Sequence, residues 1–261
     1  TLAVVDVDTN QNKVQAQTNT EGAYGTFSVS AAGEWIYTVN PTLNLGDLST
    51  DTFTVKSLDG TGEGTVTVTI KGTNDPAVIT PVISSSATNV TVIELANGKA
   101  AVQSALIESN AVLTTSGTVT VTDPDAGENK LVAQSGTAGT YGTFTATASG
   151  TWSYTASSAL NQLKTGEVVT ETFTLTSKDG NTTLPVVIKI TGTNDAPVLT
   201  GTPTVLAAGT EDSTYTLSAE HLLSGYSDPE GSALSVLGEV TADHATVVYN
   251  SSTLLYTITP E

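Results

Sequence analysis

Neither cysteine nor methionine occurs in the 261 residues. Without cysteine there is no disulfide framework and no thiolate chemistry. Without either residue the easily oxidised side chains are gone, which fits life outside the cell. Basic residues are scarce: eight Lys+Arg stand against 26 Asp+Glu, for a formal net charge of −18. That balance excludes a nucleic-acid partner, whose phosphates need basic contacts, and equally an anionic membrane surface. No apolar run approaches the ~20 residues of a membrane helix. No signal peptide opens at Thr1, so any secretory address is expected outside this sequence. The two histidines, His221 and His244, have no partner suggested by spacing, and neither Gly-x-Ser-x-Gly nor a phosphate loop is present. These absences argue against an enzyme.

What is present is said nearly twice. Ala23-Tyr24-Gly25-Thr26-Phe27 returns as Thr140-Tyr141-Gly142-Thr143-Phe144, and Trp35-Ile36-Tyr37-Thr38 as Trp152-Ser153-Tyr154-Thr155. Gly72-Thr73-Asn74-Asp75 returns as Gly192-Thr193-Asn194-Asp195. Tyr24 and Tyr141 are offset by 117 residues, Gly72 and Gly192 by 120. A three-residue insertion therefore separates otherwise equivalent units, and tandem units of this kind build length.

Apolar and polar residues alternate in Thr65–Ile70, Gly117–Thr122, Thr172–Thr176 and Thr26–Ser30. Period two describes strands with one buried face. Asp59-Gly60 and Asp179-Gly180-Asn181 supply hairpin turns, because these residues tolerate positive φ. Short strands in units near ~100 residues predict an immunoglobulin-like sandwich. The fold class expected is all-β: tandem immunoglobulin-like (cadherin-like) antiparallel β-sandwiches in an extended array. The exception is Lys99–Leu106, which reads as a helical turn or two. Boundaries at the Gly-Thr-Asn-Asp motif divide the chain into 1–76, 77–196 and 197–261. The first unit is expected to lack its opening strand, and the third to stop before its final hairpin and strand.

The ordered string Thr118-Val-Thr-Val-Thr-Asp123-Pro-Asp125-Ala-Gly127, Tyr141-Gly-Thr-Phe144, Gly150-Thr-Trp-Ser-Tyr154, Thr170-Glu-Thr-Phe173, Asp179-Gly180 and Gly192-Thr-Asn-Asp-Ala-Pro197 resembles a VCBS repeat. Such repeats occur in giant RTX-type bacterial surface adhesins. The first unit is similar from Asp6-Val7-Asp8 onward. The third, with Thr210-Glu211-Asp212-Ser213 and Ser227-Asp228-Pro229-Glu230-Gly231, resembles bacterial cadherin-like modules. The resemblance implies a secreted array on the bacterial cell surface that binds Ca²⁺. Its partners would be neighbouring repeats of the same polypeptide, with host or biofilm surfaces reached through other domains. The array would be monomeric and hold a distal binding tip away from the cell.

The acids give that implication a physical basis. With strands running alternately up and down, the Asp-x-Asp pair, the last hairpin and the start of the first strand should share the end that faces the incoming linker. Cadherin joints use a strand Glu, a linker Asn-Asp and an Asp-x-Asp of the next domain. The first joint would then use Asn74, Asp75, Glu108, Asp123, Asp125 and Asp179. The second would use Asn194, Asp195, Glu211, Asp212, Asp228 and Glu230, and Asp6 with Asp8 form the equivalent pair of the first unit. Calcium suits such sets because it takes six to eight oxygens in flexible geometry. Without it, two carboxylates roughly 5 Å apart repel by about 3 kcal/mol at an effective dielectric near ~20. No EF-hand is present: twelve positions from Asp6 and Asp123 end on Gln17 and Gln134, not Glu.

Other readings compete. Asp123-Pro124-Asp125 could be a plain turn. Trp35, Trp152, Tyr37 and Tyr154 could stack on sugars, but their equivalent placement favours one core Trp and Tyr per sandwich. The Thr-x-Thr ladders could bind ice or polysaccharide, yet outward strand positions explain them too. The paired acids could mimic a glycosidase pair, but they recur at joints. A sandwich that itself binds a glycan or protein is the alternative to an extender.

Overall fold

A computed structural model describes residues 1–8, 10–40, 46–84, 89–206 and 213–261. Regular structure in it is almost wholly strand. Residues 1–71 supply β1 (Gln17–Glu21), β2 (Gly25–Val29), β3 (Trp35–Val39), β4 (Leu48–Lys56) and β5 (Glu63–Lys71). Then come β6 (Val78–Val82), β7 (Val90–Glu94), β8 (Ala100–Ile107), β9 (Thr114–Thr122), β10 (Gln134–Ala138), β11 (Gly142–Ala146), β12 (Thr151–Ala156), β13 (Val168–Thr176) and β14 (Thr183–Thr191). Residues beyond 197 form β15 (Val198–Leu199), β16 (Tyr215–Ser218), α1 (Ala219–Leu223), β17 (Tyr226–Ser227), β18 (Ala245–Asn250) and β19 (Leu255–Pro260).

The middle strands make two sheets, ordered β10-β11-β12-β9-β6 and β13-β14-β8-β7. Inward residues of both meet in one core that includes Phe144, Trp152, Tyr154, Phe173, Leu175, Val186 and Ile188. Phe144 stacks on Phe173 at 4.7 Å. The first unit repeats this arrangement in β1-β2-β3 and β4-β5, with Phe27 stacked on Phe53, also at 4.7 Å. Registers repeat as well: Phe27 faces Tyr37 as Phe144 faces Tyr154. Gly60 and Gly180 both take φ of 78°, the left-handed conformation that the hairpin turns require.

The structure departs from the sequence expectations in four places. Lys99–Leu106 is not helical. Ala100–Ile107 is the strand β8, held between β7 and β14, and its buried Val102, Ser104 and Leu106 follow period two. Tertiary pairing outweighs the helical preference of alanine there. Second, the sandwich is not purely antiparallel, because β8 and β14 pair in parallel. Third, β6 to β9 all lack a counterpart among the described strands of residues 1–71, where a single missing strand was expected. Fourth, Trp35 does not share the fate of Trp152. Trp152 is 1% exposed because β9 lies beside β12 and sets Gly117 opposite it, where a Cβ would stand 2.5 Å from the ring. Trp35, on the edge strand β3, is 39% exposed.

The outward threonines of β4 and β5 pair directly, Thr50 with Thr69, Thr52 with Thr67 and Thr54 with Thr65, while Asp51, Phe53 and Val55 point inward. Asp51 accepts from the Tyr37 hydroxyl (2.6 Å) and from the amides of Ala23 and Tyr24 (2.9 and 3.0 Å). Burial pushes its carboxyl up, but these donors outweigh burial and hold it below the ordinary Asp range. A depressed folded-state pKa stabilises above the unfolded value of ~3.9 and the stabilisation is lost as pH falls through the folded one. The first unit should therefore weaken as pH drops below about 4. In Asp51→Asn the acid limb of its unfolding curve should flatten, and an unchanged limb would contradict the assignment.

Candidate metal centres

Carboxylates gather where each Asn-Asp linker meets the unit that follows it. At the second joint the Asp195 amide donates to Glu230 Oε1 (2.6 Å), and Asn194 folds its side-chain amide onto the Asp195 carbonyl (2.9 Å). Glu230 in turn donates its amide to Asp228 Oδ1 (3.0 Å). Glu108 joins them from the end of β8: Thr193 donates its amide and hydroxyl to Glu108 Oε2, at 3.2 and 2.7 Å. Glu108, Asp195 and Glu230 are 3%, 4% and 9% exposed. Each keeps one buried oxygen, Oε1, Oδ2 and Oε2 respectively, that accepts no hydrogen bond. Burial first, then the charges of Glu108, Glu230 and Asp228, push the Asp195 carboxyl above the ordinary range. The Ser232 amide, working against burial and helped by Glu230, holds Asp228 below it.

The first joint repeats the pattern. The Asp75 amide donates to Asp125 Oδ2 (2.8 Å), Asn74 to the Asp75 carbonyl (3.0 Å), and the Asp125 amide to Asp123 Oδ1 (2.7 Å). Asp179 comes from the β13–β14 hairpin, where Oδ2 receives Asn74 Nδ2 (3.5 Å) and the Ala77 amide (3.4 Å). The Ser177 hydroxyl above all, and then the Asn181 and Ala77 amides and Asn74, outweigh burial and keep its carboxyl low. Glu128 is the acid that the sequence reading missed. Oxygens of Asp123, Asp125 and Glu128 all lie within 4.8 Å of one another. The signal was present as Asp-x-Asp-x-x-Glu, in which a tight turn carries the third acid back. These are hard oxygen donors, the ligand type that calcium takes.

Three family models match the chain. Residues 1–71 match a bacterial Ig domain, 95–192 a bacterial cadherin-like domain, and 193–261 a cadherin-like domain. Cadherin-like and Ig-like domains stand in tandem along this chain. Such domains are typically non-enzymatic and typical of extracellular surface proteins. A search of curated proteins finds no match. Among solved structures the chain is similar to an endo-fucoidan hydrolase from glycoside hydrolase family 107, at 19% identity and a TM-score of 0.28, and to a variant of it at 20% and 0.27. Both matches cover 95% of this chain and 34% of theirs, so it spans about a third of their length. Among the described residues no helix is long and apolar enough to cross a membrane.

Against that frame, most of the predicted ligands do come together, but one sits elsewhere. Asn74, Asp75, Asp123, Asp125 and Asp179 meet at the entry to the bacterial cadherin-like domain. Glu108 does not join them. It ends β8 rather than starting the first strand, and the parallel β8–β14 pairing carries it to the exit beside Thr193. Asn194, Asp195, Asp228 and Glu230 meet there as expected, while Glu211 and Asp212 lie outside the described residues. Asp6 and Asp8 form the same turn in the Ig domain, the Asp8 amide donating to Asp6 Oδ1 (2.8 Å), without a linker acid beside them among the described residues.

Proposed function

We propose that this chain is an extender segment of a bacterial surface adhesin of the RTX type, built from VCBS-like and cadherin-like sandwiches and rigidified by Ca²⁺ at its joints. The proposed domains are 1–76, 77–196 and 197–261. The observation that carries the reading is recurrence. Both Asn-Asp linkers fold onto the second acid of an Asp-x-Asp or Asp-x-Glu pair in the next domain, through the same amide-to-carboxylate bond. Catalytic acids are unique to one cleft, whereas structural ligands repeat, and the chain is accordingly not an enzyme. Asn74, Asp75, Asp123, Asp125, Glu128 and Asp179 would hold one ion, and Glu108, Asp195, Asp228 and Glu230 another. Bound calcium would turn repulsion between neighbouring carboxylates into shared ligation.

Calorimetric titration of the chelator-stripped chain with Ca²⁺ tests this, with Mg²⁺ as control. Sites in the range of about 10⁻⁴–10⁻³ M are expected, as for extracellular calcium modules. Mg²⁺ should bind far more weakly, because it demands octahedral geometry and dehydrates reluctantly. In the double variant Asp123→Asn/Asp125→Asn one site should disappear. No heat with either ion would leave a passive spacer and end the calcium reading.

A further inference from the structure

The first unit and the middle domain each have a seam where their two sheets meet edge to edge, and both seams are built alike. In the middle domain the Lys178 amide donates to the Lys130 carbonyl (2.8 Å) and the Val132 amide to the Thr176 carbonyl (2.9 Å). In the first unit the Leu58 amide donates to Lys13 and the Gln15 amide to Lys56, both at 2.9 Å. Beyond these rungs a side chain supplies the next one. Gln134 Nε2 donates to the Thr174 carbonyl (2.7 Å), and Gln17 Nε2 to the Thr54 carbonyl (2.8 Å). The hydroxyls of Thr137 and Thr20 donate to the side-chain oxygens of these glutamines, at 3.0 and 3.3 Å, and brace them. In both units the strand register shifts between that glutamine and that threonine, as at a bulge. Past Gln134 the seam stays open as a groove of about 350 Å³ between residues 134–140 and 170–174.

The Thr174 and Thr176 carbonyls both face the seam, so by period two the backbone groups of Thr170 and Thr172 face it too. Edge groups of this kind recruit another strand. Residues 50–55 and 170–175 read Thr-Asp-Thr-Phe-Thr-Val and Thr-Glu-Thr-Phe-Thr-Leu, with no lysine or proline to deter one. Their threonines are exposed, while Phe53, Val55, Phe173 and Leu175 point inward. Two such edges therefore match each other face for face. Asp51 and Glu171 place a charge on the inward face of each, which is one deterrent to pairing.

We propose that Gln17 and Gln134 are the other deterrent: each straps a strand edge that otherwise pairs with the like edge of a second copy of this chain. A strand added to β13 has to take the Thr174 carbonyl from Gln134, and one added to β4 has to take the Thr54 carbonyl from Gln17. Pairing β13 of one copy with β13 of another breaks two straps at once, one from each copy. The straps thus keep like units apart, which matters most where similar sandwiches stand in tandem and can misassemble with one another. The device needs no bound ion.

Sedimentation of the whole chain over a range of concentrations, together with amide hydrogen exchange, tests this. Gln17→Ala/Gln134→Ala should self-associate about tenfold more tightly than wild type, because two hydrogen bonds no longer oppose pairing. Exchange at the Thr52 and Thr172 amides should slow as the concentration of that variant rises. Gln17→Glu/Gln134→Glu also loses both straps, since a carboxylate cannot donate, but it sets a charge on each edge. Its urea midpoint should fall as in the alanine variant, while its association stays at the wild-type level. Association of the alanine variant no tighter than wild type would overturn the proposal. Equal association of the glutamate variant would also overturn it, by tracing the effect to lost stability. Slowed exchange confined to the edge strand β3 would place the contact elsewhere and sink it too.

Discussion

Replacing Phe173 by alanine should cost the middle domain about 3–5 kcal/mol, the usual loss for a buried phenylalanine. Phe173 is packed face to face on Phe144 (4.7 Å, 7°) and tilted against Tyr154 (5.9 Å). Its ring joins the β13 sheet to the β11–β12 sheet, so its removal opens a cavity between layers, and the backbone pairing of β13 with β14 limits collapse. Domains of this size are stable by only about 5–15 kcal/mol. The transition reported by buried Trp152 should therefore fall by more than about 10 °C. Trp35→Phe makes Trp152 the sole reporter. A loss under about 1 kcal/mol would mean that the stack is not the centre of this core.

Tyr154→Phe should also be damaging, through electrostatics instead of volume. The Tyr154 hydroxyl donates to Glu171 Oε1 at 2.5 Å, and the other carboxylate oxygen is buried without a partner. Burial, reinforced by Glu171, pushes the Tyr154 hydroxyl pKa well above its usual value, so it remains a donor at neutral pH. Deleting it strands a buried carboxylate, for a loss of about 1–3 kcal/mol or more. The first unit supplies the control. Asp51, which takes the place of Glu171 there, keeps two backbone donors when Tyr37 becomes phenylalanine, so that substitution should cost less. Urea midpoints of the two single variants compare them directly. The double variant Tyr154→Phe/Glu171→Leu should recover most of the loss, because removing both partners also removes the orphaned charge. Equal losses in Tyr154→Phe and Tyr37→Phe would refute the argument.

The part of this protein that is local in sequence is legible from it. Alternation in β2, β5, β9 and β13, the left-handed glycines of the two hairpins, and the repeated Asn-Asp linker all depend on residues within a few positions of one another. The same holds for the Asp123–Asp125 turn, whose internal bond joins residues two apart. Glu128 was equally local and was missed only because the Asp-x-Asp pattern was read as ending at its second acid.

What the sequence by itself determined, then, was the strand pattern, the repeat and the identity of most of the gathered acids. Only the tertiary structure decided which acids share a joint, which of two equivalent tryptophans is covered, and that Ala100–Ile107 is a strand. The physical reason is common to all three. Glu108 reaches Thr193 through a parallel pairing between strands some eighty residues apart, a contact that no periodicity encodes. Trp152 is sealed by Gly117 of β9, a strand some thirty-five residues earlier in the chain. β8 adopts its conformation because two neighbours satisfy its backbone.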